Sequence, residues 1–128
     1  MDFNTIKSNL ELLDGLDRLN YLIDLSKKNP GIPKEYKIQS NKIIGCVSNA
    51  YLFISSFEPI AINVESDSDF VQGLLYILKL YVENKTKEEI ISIDEEKLMG
   101  LLKLKNSITS QRINGFYSAI KMLKEKIQ

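Results

Sequence analysis

The first quarter of the chain places apolar residues at helical spacing. They recur every three or four positions from Phe3 to Leu13, and Gly15 interrupts the pattern. A second helical pattern runs from about Leu16 to Lys27, whose last residue suits the negative end of the helix dipole. Pro30 and Pro33 then remove backbone donors and restrict the residues before them. The pattern predicts two helices followed by a break.

The next part of the chain has the pattern of β-strands. Residues 38–44 and 47–56 are rich in β-branched and aromatic side chains, and the pair Gly45-Cys46 separates them. Glu58-Pro59 predicts a turn, after which apolar and more polar residues alternate over 60–65. Short connections between such segments favour antiparallel pairing. We therefore expect a small antiparallel sheet of about three strands.

Helical spacing returns in the second half. Residues 70–82 are apolar around most of the circumference, which is typical of a helix in the middle of a core. Thr86 to Glu89 has the pattern of a capping box, and Asp94 is expected to cap another helix. The last helix is expected to start near Thr109 or Ser110. Together the elements predict an α+β fold, with the small sheet packed against several helices in a single domain.

Composition narrows the chemistry mainly through what is missing. The 128 residues carry 17 basic and 17 acidic side chains, so the net charge of +0 gives no general attraction to nucleic acid or to an anionic membrane. Without any His, the Ser-His-Asp and Cys-His catalytic arrangements are excluded. A single Cys excludes an internal disulfide and any zinc or iron–sulfur site built from the chain's own thiolates. Carboxylate sites for Mg²⁺ or Ca²⁺ stay open, although Asp67 with Asp69 lacks the glycine and final Glu of a calcium loop.

The expected location is the cytoplasm. The first residues lack the positive start and apolar stretch of a signal peptide. The most apolar segment, 70–82, is too short to span a bilayer. A lone thiol also suits a reducing compartment.

Cys46 is the candidate for chemistry. It follows Gly45 at a join between predicted strands, where a thiol can be held on a loop and reached by a partner. The competing interpretation is plain packing, since free cysteines are among the most buried residues. Arg112, in the first turn of the last helix, either steadies an anion or carboxylate or simply lies over apolar surface. Asp67 is expected to be a helix-start acid.

Four segments occur in a recognisable order. They are Arg18–Leu25 (RLNYLIDL), Asn41–Leu52 (NKIIGCVSNAYL) with its Gly-Cys-x-Ser motif, Ser66–Leu75 (SDSDFVQGLL) and Ile108–Phe116 (ITSQRINGF). In this order, and over nearly the whole chain, they resemble the SufE/CsdE family of sulfur acceptors, which work with cysteine desulfurases in iron–sulfur cluster assembly. The chain departs from the family pattern at Val47, Tyr51 and Asn106, where Gln, Trp and His are common.

The resemblance implies a single SufE-like domain over residues 1–128 that acts as a sulfur-transfer partner and activator, not as an enzyme. It implies that Cys46 receives a persulfide sulfur from a SufS/CsdA-like cysteine desulfurase, and that Gly45, Ser48, Asp67 and Arg112 support the loop and the docking of that partner. Pyridoxal phosphate would reside on the desulfurase, with no cofactor or metal on this chain. The sulfur would pass to a downstream iron–sulfur scaffold, and the carrier would be a monomer or weak homodimer.

Two other functions compete with this one. The chain could be a small helical protein-interaction module with a structural cysteine, which Cys46→Ser would reveal through lost stability. A stand-alone thiol enzyme ranks lower, because the chain offers neither a resolving cysteine nor a histidine base.

Overall fold

The computed structural model describes all 128 residues and contains six α-helices and a two-stranded antiparallel sheet. The elements in chain order are α1 (Phe3–Leu12), α2 (Gly15–Lys28), β1 (Ala50–Phe57), β2 (Ile60–Ser66), α3 (Asp69–Val82), α4 (Lys87–Ile91), α5 (Glu95–Leu102) and α6 (Ser110–Ile127). Short 3₁₀ turns occupy Lys34–Tyr36 and Gln39–Asn41, between α2 and the sheet. The predicted α+β class is confirmed. None of the helices is long and apolar enough to cross a membrane.

The sheet is one strand smaller than the expected three. β1 and β2 pair from Ala50 opposite Ser66 to Phe57 opposite Ile60, with one irregularity after Ile54. Residues 38–44 were expected to add a strand, but they contribute only an isolated bridge between Lys42 and Tyr51. The prediction of about three strands is therefore wrong by one.

Side-chain hydrogen bonds explain the missing strand. Asn41 donates from its amide to the carbonyl oxygen of Tyr36 at 2.8 Å, a local bond that competes with a ladder. Lys126, on α6, donates to the carbonyl oxygen of Ser40 at 2.9 Å. The backbone of this segment is thus held in a turn, and its β-branched composition alone does not make a strand.

The core forms around α3, as the apolar pattern of residues 70–82 predicted. This helix packs against α1, α2, β2 and α6. Gly73 allows the backbones of α2 and α3 to approach closely, since a Cβ there would overlap the carbonyl oxygen of Leu22. The apolar side of α6 closes the core with Ile113, Phe116, Ile120, Leu123 and Ile127, all buried.

The predicted helix starts are confirmed. Thr86 and Glu89 form the reciprocal capping box, and the backbone N–H of Thr86 holds the pKa of the Glu89 carboxyl below its usual value. Asp94 accepts from the backbone N–H of Lys97 at 3.1 Å. Thr109 caps α6, whose first residue is Ser110. These caps fix where α4, α5 and α6 begin, and the start of α6 borders the site described next.

Candidate functional site

Residues 44–49 form a loop that leads into β1 and rests on α6. Gly45 has φ of +91°, a backbone conformation that residues with a Cβ rarely adopt. A Cβ at this position would also lie 2.9 Å from the hydroxyl oxygen of Ser118 on α6. Glycine is therefore required here twice, once for the turn and once for the close approach to the helix.

The Cys46 side chain points from this loop toward α6 and the apolar core. Its thiol is partly buried, packs against the apolar core, and lies so near Gly115 that a Cβ there would be 2.8 Å from the sulfur. By contrast, Ile44 and Val47 on either side are each 72% exposed. The loop thus turns its thiol inward and two apolar side chains outward, and the sulfur is neither sealed nor fully open.

The thiol contacts one hydroxyl group, which in turn contacts a second hydroxyl group. The Cys46 sulfur lies 3.1 Å from the Ser48 hydroxyl oxygen, which lies 2.9 Å from that of Ser66. The backbone N–H of Ser68 donates to the Ser66 hydroxyl at 3.1 Å. Gly45, Cys46 and Ser48, three of the predicted site residues, are therefore neighbours at one place.

Asp67 fastens the other end of the loop. Its carboxylate accepts from the backbone N–H of Asn49, and its own N–H donates to the Asn49 carbonyl, both at 3.1 Å. The expectation that Asp67 is a helix-start acid is wrong, because Ser68 is the N-cap of α3 and accepts from Val71. The extended backbone before the helix directs the Asp67 carboxylate across to the loop instead.

Arg112 lies beside the loop and lines the same cavity as Val47 and Ser48. Its guanidinium sits 4.4 Å above the ring of Phe70, a cation–π contact. Neither Arg112 nor Asp67 takes part in the four ion pairs of the molecule, so the two candidates do not pair with each other. The structure thus favours the interpretation in which this arginine covers apolar surface, while its charge stays near the loop.

A cavity of about 280 Å³ lies between the loop and the two helices. Its lining residues are Val47, Ser48, Ser68, Val71, Thr109, Gln111 and Arg112. Two of them, Ser68 and Thr109, are the N-caps of α3 and α6, where the helix dipole is positive. Arg112 adds a positive charge to this side of the loop, and the carboxylates of Asp67 and Asp69 at the start of α3 add negative charge nearby.

Gly115 and Ser66 lie near the thiol, but the sequence pattern did not indicate either as a functional candidate. Gly115 entered only as one residue of the segment Ile108–Phe116. The available signal was that glycine inside a helix lowers stability and therefore often marks a close contact. Ser66 follows Ile60, Ile62 and Val64 at the buried positions of β2. A hydroxyl at a buried position needs a hydrogen-bond partner. The alternation of buried and less buried positions along β2, which places Ser66 on the buried side, was the available signal.

Similarity to known proteins identifies the family. The family described as "SufE: Fe-S metabolism associated domain" matches residues 4–127. The chain belongs to the SufE family. This confirms the resemblance that the four sequence segments carried.

Three relatives are 30–32% identical to this chain over the aligned residues. The cysteine desulfuration protein SufE of Wigglesworthia glossinidia brevipalpis is 30% identical over 107 residues, covering 82% of this chain and 74% of that protein. The sulfur acceptor protein CsdE of Escherichia coli strain K12 is 32% identical over 101 residues, covering 77% and 69%. An uncharacterised SufE-like protein of Rhizobium etli is 30% identical over 118 residues, covering 88% and 80%.

A solved structure has the same fold. The solution structure of a hypothetical protein from Thermus thermophilus superimposes with a TM-score of 0.76 at 17% identity, covering 99% of this chain and 96% of that one. At this level of identity the likeness concerns the α+β architecture. In this SufE-family chain no three His, Cys, Asp or Glu side chains are grouped to hold a metal ion.

Proposed function

We propose that this SufE-family protein accepts sulfur on Cys46 from a cysteine desulfurase and carries it, as a persulfide, to an iron–sulfur scaffold in the cytoplasm. The names of its relatives, a cysteine desulfuration protein and a sulfur acceptor, support the reaction class. The observation that carries the proposal is the position of the chain's only thiol: partly buried, on a glycine-hinged loop, between two exposed apolar side chains.

The transfer itself needs only one nucleophile on this chain. The Cys46 thiolate attacks the outer sulfur of a persulfide on the desulfurase cysteine. A new sulfur–sulfur bond forms at Cys46, the bond within the donor persulfide breaks, and its electron pair leaves with the desulfurase thiolate. No external oxidant or reductant is consumed, because the outer sulfur only changes carrier. Pyridoxal phosphate, which supplies the persulfide, belongs to the desulfurase.

Access controls such a reaction as much as thiolate content does. The partly buried Cys46 sulfur faces Gly115 of α6, so an outward movement of the loop would make it easier for a second protein's sulfur to reach it. The bonds that hold the loop at Ser48 and Asp67 are polar, and water can replace them at small net cost. We expect the loop to shield the persulfide at rest and to swing out about Gly45 when the desulfurase binds.

The surface beside the loop suits a protein partner. Ile44 and Val47 expose apolar area that would be covered on docking. Ile44 also borders a groove of about 420 Å³ that includes Lys42 and Lys121. Cations beside an apolar centre give the partner a second means of recognition.

A sulfur-uptake assay tests the proposal. The protein is incubated with L-cysteine and a SufS/CsdA-like desulfurase, and its intact mass is measured before and after reduction by dithiothreitol. We expect one added sulfur atom, removable by the reductant, on the natural chain and none on Cys46→Ser. The Ser variant should keep its urea unfolding midpoint, whereas a structural cysteine in an interaction module would lower it.

A relocated thiol provides the matched control. Ser92 is exposed at the end of α4, far along the chain from the loop, so Ser92→Cys combined with Cys46→Ser keeps one thiol and removes only its position. This double variant should take up no more sulfur than Cys46→Ser. Equal uptake by the relocated thiol and the natural one would show that any accessible cysteine suffices and that the Cys46 loop is not a built acceptor.

A further inference from the structure

The hydrogen-bonded groups behind the thiol form a chain whose direction becomes fixed when Cys46 is a thiolate. It runs from the Cys46 sulfur to the Ser48 hydroxyl (3.1 Å), then to the Ser66 hydroxyl (2.9 Å), and ends at the backbone N–H of Ser68 (3.1 Å). The first two contacts join groups that each can donate or accept. The last contact joins an amide that can only donate, and this fixes the Ser66 oxygen as its acceptor.

The direction follows from counting protons once Cys46 is a thiolate. A thiolate has no proton to give, so the Ser48 hydroxyl must donate to the sulfur. Each hydroxyl has a single proton. Since that of Ser48 is then committed, Ser66 must donate to Ser48. The Ser66 oxygen keeps its lone pairs and accepts from the Ser68 N–H, so every contact in the chain has one donor and one acceptor in the anionic state.

Ser66 is held more firmly than the loop it serves. It is the last residue of β2, it is only 9% exposed, and its N–H donates to the Gln72 side-chain oxygen of α3 at 2.6 Å. The N–H of Ser68, as the N-cap of α3, has no partner inside the helix and is free for this bond. The end of the chain away from the sulfur is therefore anchored in the sheet and the central helix.

We propose that Ser66 is a positioning residue for sulfur transfer, which orients the Ser48 hydroxyl so that it donates to the Cys46 sulfur when that sulfur is negatively charged. The inference rests on the proposed function for its biological role, while its physical content concerns this chain alone. Ser48 contacts the reacting atom, and Ser66 acts only through Ser48. Hydrogen bonds to a charged acceptor are the stronger ones, so the thiolate gains more than the thiol.

The pH profile of Cys46 alkylation by iodoacetamide tests this without any desulfurase. Loss of a hydrogen bond to the thiolate should move the midpoint of the profile to higher pH, further for Ser48→Ala than for Ser66→Ala. The double variant should match Ser48→Ala alone, because a residue that acts through another adds nothing once the other is gone. Ser55→Ala, which removes a hydroxyl elsewhere in the sheet, should leave the midpoint unchanged.

Two variants with side chains of the same shape separate the loss of the hydroxyl group from an effect of the substitution on folding. Ser66→Thr keeps a hydroxyl and Ser66→Val replaces it by a methyl group, and both suit a strand. We expect the Thr variant to keep the natural midpoint and the Val variant to shift with Ser66→Ala. Superimposable Thr and Val profiles, or additive shifts in the double variant, would overturn the proposal.

The sulfur-uptake assay keeps the two claims separate. If the natural protein takes up no sulfur but the Thr and Val profiles differ, the proposed function fails and the role of Ser66 in orienting Ser48 stands. If uptake occurs but the profiles coincide, the acceptor function stands and Ser66 is structural. With both correct, Ser66→Val should slow uptake several-fold at neutral pH while Ser66→Thr does not, because uptake rate follows thiolate content.

Discussion

Two glycines inside helices make close contacts in this molecule, and the two contacts differ in the group that lies opposite the glycine. At Gly73, in α3, the neighbour is the backbone carbonyl of Leu22 in the middle of α2. At Gly115, in α6, the neighbour is the sulfur of Cys46 on a loop. A carbonyl inside a helix is fixed by the helix, whereas a side chain on a loop can leave. We therefore expect the contact between α2 and α3 to persist in the folded protein and the contact between Cys46 and Gly115 to be able to open.

The surroundings of each contact strengthen this difference. Leu22 is fully buried, and the α2–α3 packing belongs to the continuous apolar core. The Cys46 loop, in contrast, is held by the hydroxyl of Ser48 and by the Asp67 bonds to Asn49, which bring little apolar burial. Apolar burial dominates the free energy of folding, and exchangeable polar bonds contribute little net. Opening the loop should thus cost far less than separating α2 from α3.

Gly73→Ala should have the largest effect on stability. The added methyl group would overlap the Leu22 carbonyl and must push two helices apart, a type of overpacking that typically costs about 1–3 kcal/mol or more. The gain in helix propensity offsets only about 1 kcal/mol of this. Because the overlap is with a backbone atom, we expect the upper end of this range and therefore a net loss of about 2 kcal/mol in the free energy of unfolding, measured by urea denaturation. An unchanged unfolding midpoint would mean that the contact between α2 and α3 adjusts to the added methyl group as easily as the loop does.

Gly115→Ala should instead act on the thiol. Its methyl group would stand 2.8 Å from the Cys46 sulfur, and the loop can relieve the overlap by moving outward. If the strain amounts to about 1.4 kcal/mol, the open population rises about tenfold, and so does the rate of iodoacetamide labelling. The unfolding midpoint should change little. Equal labelling rates for the natural protein and the Gly115→Ala variant would contradict the expectation that the contact between Cys46 and Gly115 can open.

A double variant supplies the control for that experiment. In Cys46→Ala the sulfur is absent, so adding Gly115→Ala no longer creates the overlap with it. The helix-propensity gain should then appear, and the double variant should be more stable than Cys46→Ala by up to about 1 kcal/mol. A gain of the same size in the presence of Cys46 would mean that the thiol and Gly115 are not coupled.

The fold was predictable where local chemistry decides it. The apolar circumference of residues 70–82 indicated the central helix, and the caps at Thr86, Asp94 and Thr109 indicated the helix starts, because both signals lie within a few residues. The segment 38–44 was mispredicted as a strand. Its composition suits a strand, but its backbone is held in a turn by the Asn41 side chain and by Lys126 on the distant α6, and the contact with α6 cannot be read from a local pattern.

The site divides in the same way. Cys46 was predictable as a candidate because it is the only thiol, and Gly45 with Ser48 because they share its motif. The roles of Ser66 and Gly115 depend on contacts between β2, α6 and the loop, so they emerge only after folding. Asp67 does contact the loop, but the expectation that it is a helix-start acid was wrong, since Ser68 is the N-cap of α3 and the Asp67 carboxylate binds Asn49.

The smallest expected effect separates the conformation of the loop from its packing. Gly45→Ala places a side chain at φ of +91° and near Ser118, so it should cost about 1 kcal/mol and alter the position of Cys46. Gly100→Ala, in α5, meets nothing within 4 Å and should instead stabilise by up to about 1 kcal/mol. Urea unfolding of both variants gives the two signs, and iodoacetamide labelling should change only for Gly45→Ala. Should both glycines respond alike, the hinge at Gly45 would be an ordinary surface position, and the loop's mobility would have to come from Cys46 and its hydroxyl partners alone.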